Sequence, residues 1–400
     1  MLSKFSRPSS SGKAMFDSTL ANRFKNSHQE NSDHGGCKLS SSRSATLASI
    51  VIVVIIFGSI GGILFLTNQY EPASIAVVVM NPGFGDMGRA DQVDEGLTEN
   101  ILVRYYRPNP PATEAEAETL MASLAASGNY LLIIVVGYEL QDELQRVADE
   151  YSMQKFAIIG GLVNLDNVAS ATFDIHEAAF LAGIIAALVA DEDPYNGTIG
   201  ILGSVATDYD VNRMIAGFEH GVDTAILAYG LNVEVLTPRY VGSYNDSATA
   251  ETMTDTLFTT DFCSIIFAPV RASIEGVRAG MQAANDTFYD LALTNRKPLA
   301  IGAEMNLDYY GNRNPLVASG HSCIVTSVVP RYDTAAVSIV NATLWDMFPG
   351  GISENYNLAN QGVNITDFEF STTIVDDTYI DAAWEYAGHI INGTIAVDDS

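Results

Sequence analysis

Ser74-Ile75-Ala76-Val77-Val78-Val79-Met80 followed by Asn81-Pro82-Gly83-Phe84-Gly85-Asp86-Met87-Gly88 is an apolar run that stops at a glycine-rich turn. The run is short and mostly β-branched, which predicts a buried strand over 75–80, and the segment 91–100 beyond the turn has helical character. A strand that turns through glycines into a helix sets backbone N–H groups and short polar side chains at its carboxyl end. Open α/β sheets bind ligands there.

The alternation continues outward from this unit. Strands are expected at 101–106, 130–136 and 156–159, with helices at 114–126 and 141–151 between them. Asn167 to Phe173 then leads into a long apolar helix, 178–189, which Asp191, Glu192, Asp193 and Pro194 interrupt too soon for a membrane span; it reads as a core helix. After Asn196-Gly197 the pattern restarts. Strands are expected at 198–202, 233–236, 264–268, 299–303 and 323–329, and helices at 210–229, 248–258, 272–284 and 334–348. The segment 356–400 is expected to cross back and end in a helix near 379–391. Short apolar strands separated by helices predict parallel, doubly wound sheets. The fold class is therefore α/β with two Rossmann-like lobes and a cleft between them. The first lobe covers 72–193 with returning segments from about 330–365, and the second covers 194–329 with part of 366–400.

From Thr46 to Tyr70 no residue is charged, and the run is long enough at about 1.5 Å per residue to cross a bilayer. It reads as one transmembrane anchor at 45–68, after a cytoplasmic tail, 1–44, that is rich in Ser, Asn and basic residues. Seven of the 20 basic residues and three of the 48 acidic ones precede the run, so positive-inside bias places the N-terminus in the cytoplasm and the lobes outside the cell. A cleaved signal peptide would start nearer the N-terminus and end at a small-residue site. No cysteine stands directly after the run for lipid attachment. Thirteen basic and 45 acidic residues remain, a net charge of about −32, which makes nucleic acid and anionic lipid poor partners and would suit a salty exterior. Six Asn-x-Ser/Thr sites, at Asn196, Asn245, Asn285, Asn341, Asn364 and Asn392, all follow the anchor and agree with an external, glycosylation-accessible face. Cys263 and Cys323 could pair, but each opens an apolar strand-like run, and two buried free thiols are the favoured reading.

Several segments carry a resemblance. Gly83-Phe84-Gly85-Asp86-Met87-Gly88 with Asp94-Glu95-Gly96-Leu97, Lys155-Phe156-Ala157-Ile158-Ile159, and Asn167-Val168-Ala169-Ser170 through Leu181-Ala182-Gly183 come first. Ala216 to Gly221, Tyr240 to Asp246 and Thr326 to Val329 follow in order. The chain resembles the basic membrane protein family of solute-binding proteins, which contains purine-nucleoside receptor lipoproteins of bacterial ABC importers. The resemblance runs over about three hundred residues; its specificity lies in the order of the segments. It implies a type I periplasmic-binding-protein fold, closure of both lobes on a ligand, and work with a permease and an ATPase. By the same resemblance, Tyr244 falls at a base-stacking aromatic position, and Glu304 and Asn306 fall where relatives place ribose-binding aspartates.

Departures from the family pattern supply further candidates. Arg89-Ala90 stands where the family has Phe-Asn, removing one stacking ring, and Asn81 or Met80 stands at an aspartate position. Arg331 follows Pro330 where a lysine is expected, and Arg271 occupies a turn that is glycine-rich in relatives. Three arginines at predicted cleft loops suggest a ligand with negative charge or several acceptors. The candidate binding residues are Asn81, Asp86, Arg89, Tyr138, Tyr244, Arg271, Glu304, Asn306 and Arg331. Each has a plainer reading. Asp86 reads equally as a turn and N-cap residue, Tyr138 and Tyr244 as packing, and the arginines as partners of surface carboxylates. Glu177 reads as structural.

Catalysis finds little support: the chain has no P-loop, no Gly-x-Ser-x-Gly elbow and no histidine pair at metal spacing. No cofactor is expected, and the chain reads as a non-enzyme. It reads as a membrane-anchored extracellular receptor that hands a nucleoside or similar small polar solute to an ABC importer. A ligand-sensing receptor of the same fold is the alternative, and a nucleoside-cleaving enzyme on a similar frame is a third possibility.

Overall fold

A computed structural model describes residues 74–101, 104–192, 196–293, 295–312 and 322–400. The expected tail and anchor lie outside the described residues, and among the described residues no helix is long and apolar enough to cross a membrane. The first sheet contains β1 (Ile75–Val79), β2 (Tyr105–Tyr106), β3 (Leu132–Val136), β4 (Phe156–Ile159), β5 (Val168–Phe173) and β12 (Ser353–Tyr356) in the order β12-β5-β4-β3-β1-β2. Every pair in it is parallel, with Ile75 opposite Leu132 and Val79 opposite Val136. The strands β1 and β3 are buried from end to end, which is why they read as unbroken apolar runs.

The second sheet repeats the arrangement with β6 (Thr198–Gly203), β7 (Glu234–Val235), β8 (Arg239–Tyr240), β9 (Ile265–Phe267), β10 (Leu299–Ala303), β11 (Ile324–Pro330) and β13 (Val363–Ile365). Its order is β13-β11-β10-β9-β6-β7, with β8 on β6 and β13 antiparallel to β11. In each sheet the strand order reverses beside the lobe's first strand, between β1 and β3 and again between β6 and β9. A crevice opens at such a switch point. The loops after β1, β3, β6 and β9 thus frame one cleft, and both sheets belong to a single unit, Ala73–Ser400.

The helices are α1 (Arg89–Asn100), α2 (Glu114–Ser127), α3 (Gln141–Glu150), α4 (Ile175–Ala190), α5 (Tyr209–Tyr229), α6 (Ser247–Thr259), α7 (Ile274–Asp290), α8 (Tyr332–Leu344) and α9 (Asp377–Ile391). The sequence places α4 in the first lobe, whose boundary it sets at 193/194. In the structure α4 packs on α5, α9 and strands of the second sheet, so the chain crosses at Phe173–Asp174. The helix is apolar on all sides, which announces burial without saying against which sheet. The return to the second sheet comes earlier than 366, at β13.

Three glycines let α4 and α5 meet backbone to backbone. A Cβ on Gly183 would lie 2.1 Å from the Phe218 carbonyl, and Cβ atoms on Gly217 and Gly221 would lie 2.2 Å and 2.1 Å from the carbonyls of His176 and Phe180. Backbone cannot move aside as a side chain can. Gly221→Val is expected to push the helices apart and destabilise the protein by about 3 kcal/mol or more, read from chemical denaturation.

The crossing segments are tied together beside the cleft. Phe173 stacks on Tyr356 with ring centres 5.0 Å apart and meets Tyr332 edge-on at 4.4 Å. The Asp174 N–H donates to the Tyr356 carbonyl at 2.8 Å, and the Arg331 N–H donates to the Gly362 carbonyl at 2.8 Å. Glu177 is structural, as its sequence context indicates: its carboxylate accepts the Leu358 N–H at 2.9 Å. Cys263 and Cys323 are free thiols, Cys263 buried.

Candidate ligand-binding cleft

The turn after β1 is shaped by Asp91, whose carboxylate accepts the N–H groups of Gly85 (2.6 Å) and Met87 (2.7 Å). Asp86 accepts the Gly88 N–H at 3.0 Å and points inward, 6% exposed. Gly88 sits where side chains from both lobes crowd the backbone. A Cβ there would lie 2.9 Å from the Glu304 carboxylate and 3.1 Å from both Arg271 Cδ and Asp86 Oδ1, because the lobes meet at this point.

Two arginines cross the cleft in opposite directions. Arg89, from the first lobe, donates through Nη1 to Asp210 of α5 at 2.9 Å and through Nη2 to Glu139 at 2.8 Å, with its guanidinium 5.3 Å from the centre of the Tyr138 ring. Arg271, from the second lobe, donates through Nε to both Glu304 oxygens at 3.0 and 3.1 Å and reaches Asp86 at 3.5 Å. Its guanidinium lies 4.2 Å from the centre of the Tyr244 ring, and Tyr244 donates its hydroxyl to Asp208 at 2.7 Å. Smaller contacts close the same seam: the Tyr209 N–H donates to the Tyr138 hydroxyl at 2.8 Å, and the Gln92 amide donates to the Glu304 carbonyl.

The electrostatics follow from burial among charges. Burial pushes the Asp86 carboxyl up to about 6, against the pull of Arg271. It also pushes Asp210 upward, against Arg89. At Asp208 burial acts upward too, but Arg271, Arg89, the Val211 N–H and the Tyr244 hydroxyl together hold the carboxyl below its ordinary range. Burial and the Asp208 charge raise the Tyr138 hydroxyl to about 12. Three non-glycine residues at this seam adopt left-handed backbone: Met87 (φ 57°), Arg271 (φ 50°) and Glu304 (φ 67°). Such strain gathers where the surrounding structure dictates a side chain's position.

Two spaces adjoin the cluster. A pocket of about 310 Å³ is lined by Asn81 and Pro82 of the first lobe and by Val205 and Gly242 to Asn245 of the second. A deeper space of about 40 Å³ reaches Asp86, Arg89, Tyr244 and Arg271. Among the described residues no His, Cys, Asp or Glu group is arranged to hold a metal ion.

Of the residues singled out in the sequence, the structure brings Asp86, Arg89, Tyr138, Tyr244, Arg271 and Glu304 together and places Asn81 at the mouth. It does not bring Asn306 or Arg331. Asn306 is exposed and accepts the Asp308 N–H at 3.2 Å in a local turn. Arg331 forks onto Asp333 at 3.0 and 2.9 Å on the surface. Sequence reasoning missed Gln92, Glu139, Asp208 and Asp210. Asp208 and Asp210 had a findable signal, since they follow β6 as Asp86 follows β1.

The sequence profile of the Bmp family, ABC transporter substrate-binding proteins of the PnrA-like type, matches residues 74–400. The chain belongs to this family. Among relatives of the Bmp chain, the ABC transporter nucleoside-binding protein BmpA of Lactococcus lactis is 25% identical over 332 residues, covering 80% of this chain and 88% of that protein. Basic membrane protein B of Borreliella burgdorferi is 24% identical over 322 residues, covering 74% and 83%. An ABC transporter solute-binding protein from Aeropyrum pernix has the same fold, with a TM-score of 0.70, 21% identity, and coverage of 82% of this chain and 94% of that one.

Proposed function

We propose that this Bmp-family chain is the external receptor of an ABC importer and captures an uncharged nucleoside or similar small polar solute between its lobes. Tyr244 carries the reading: its half-buried ring lines the interlobe pocket and the deeper space that reaches Asp86 and Glu139, and its hydroxyl is held by Asp208. A base needs an aromatic face, and its edges and the ribose hydroxyls need acceptors, which carboxylates supply. The nucleoside-binding relative from Lactococcus lactis supports the same ligand class. The suggestion of a negatively charged ligand gives way, because Arg89 and Arg271 are already paired with carboxylates and Arg331 stands outside the cleft. Binding shifts the population toward the closed form without covalent chemistry. The apolar run at 46–70 tethers the protein, lobes outward, to the membrane that holds the permease and ATPase.

A thermal-shift screen of the purified protein in high salt tests this reading. Ligand at a hundredfold excess over its dissociation constant stabilises by about 2.7 kcal/mol. Nucleosides are expected to raise the melting midpoint while nucleotides leave it in place, and no response to any nucleoside would overturn the reading.

A further inference from the structure

We propose that Arg271 is the specificity-determining residue of the cleft: its guanidinium covers the face of Tyr244, so a planar ligand binds by displacing it.

The geometry is that of a bound ligand supplied by the chain itself. A guanidinium is flat, rich in donors and able to stack on aromatic faces, and this one lies over the Tyr244 ring, 4.2 Å from its centre. Glu304 grips its edge at 3.0 and 3.1 Å, and Asp86 and Asp208 face its other nitrogens at 3.5 and 3.6 Å. The side chain is 6% exposed, and its Nη2 is buried with no hydrogen-bond partner. The fit is therefore incomplete, leaving a place a ligand can improve upon. The backbone is set to deliver the group. Arg271 takes φ 50°, and the Ser273 N–H donates to the Tyr244 carbonyl at 3.1 Å, tying the arginine's turn to the ring it covers.

Displacement decides what the cleft accepts. When the guanidinium leaves Tyr244, three buried carboxylates lose a partner, and a newcomer has to offer N–H or O–H donors in its place. Planar heterocycles with amino or imino donors meet that demand. A ligand carrying phosphate would set negative charge against Asp86, Asp208 and Glu304. This inference rests on the nucleoside reading above.

The test is calorimetric titration of adenosine and AMP into the full-length wild type, Arg271→Ala and Arg271→Lys, together with hydrogen exchange of residues 81–92 in the empty proteins. Lysine keeps the charge among the carboxylates but cannot stack, which guards against a folding defect in the alanine variant. Both variants are expected to bind adenosine at least tenfold more tightly than the wild type, AMP is expected to stay unbound, and residues 81–92 are expected to exchange faster in Arg271→Ala. Weaker adenosine binding in both variants would make Arg271 a ligand contact and overturn the proposal, as would unchanged affinity. If no protein binds adenosine, the nucleoside reading fails. Nitration of Tyr244, mapped by mass spectrometry, then decides the displacement proposal: a faster reaction in Arg271→Ala than in the wild type supports it, and an equal rate overturns it.

Discussion

Arg89→Ala is expected to open the cleft and weaken adenosine binding by about two orders of magnitude or more. Removing one member of a buried ion pair costs about 3–5 kcal/mol, because the other charge is left without compensation. Here Asp210, 8% exposed, and Glu139 both lose their partner. Parting the lobes returns Asp210 to water, so the cost falls on closure. Hydrogen exchange of residues 81–92 should therefore speed up, whereas the buried strand β3 should hold its protection. The effect has a pH signature. Burial already raises the Asp210 carboxyl, and losing Arg89 removes the largest influence that offsets that rise, leaving the weaker pull of Arg213. A raised carboxyl penalises the closed form above its pKa and is relieved once protonated, so the defect should be largest in alkaline buffer and shrink as the pH falls. Arg89→Ala and Arg271→Ala thus have opposite effects on affinity although both open the empty protein, because only Arg271 covers Tyr244.

Asp208→Ala should cost about 3 kcal/mol of stability. The Asp208 carboxylate caps α5 through the Val211 N–H at 3.0 Å, and a lost cap costs about 0.5–2 kcal/mol. It also accepts the Tyr244 hydroxyl at 2.7 Å, a hydrogen bond to a charged group worth about 1.5–3 kcal/mol. Asp208→Asn separates the two contributions, since an amide oxygen still caps the helix but carries no charge. The folded carboxyl sits below its ordinary value, so its contribution is present above the unfolded pKa and is lost as the pH falls through the lowered one. Urea denaturation should show the wild type well above Asp208→Asn at pH 7, with the gap narrowing as the pH falls below the ordinary carboxyl range and through the lowered value. A gap that does not change with pH would mean that charge plays no part.

The lobes and the cleft loops were legible because buried parallel strands leave a plain mark. The runs at 75–79 and 132–136 have no polar interruption, and the turns that follow them sit at the switch points. What stayed hidden was whatever depends on distant partners. Asp210 lies 121 residues from Arg89, and no local pattern announces that the arginine is already neutralised. The edge strand β12 reads Ser-Glu-Asn-Tyr and is exposed at three of four positions, so it shows no apolar run. The small residues Ala169, Ser170 and Ala171 hid β5 in the same way. Asn306 looked like Glu304 by position, but only Glu304 turns inward, on a left-handed backbone that no periodicity reveals.

Calorimetric titration of adenosine and AMP into the wild type and Tyr244→Ala bears most directly on solute capture at this cleft. Stacking of a base on an aromatic ring is worth about 1–3 kcal/mol, which corresponds to a loss of roughly 5- to 150-fold on truncation. Adenosine should bind the wild type and lose that much affinity in Tyr244→Ala, and AMP should bind neither. Tight binding of AMP, or adenosine affinity untouched by the loss of Tyr244, would contradict the assignment.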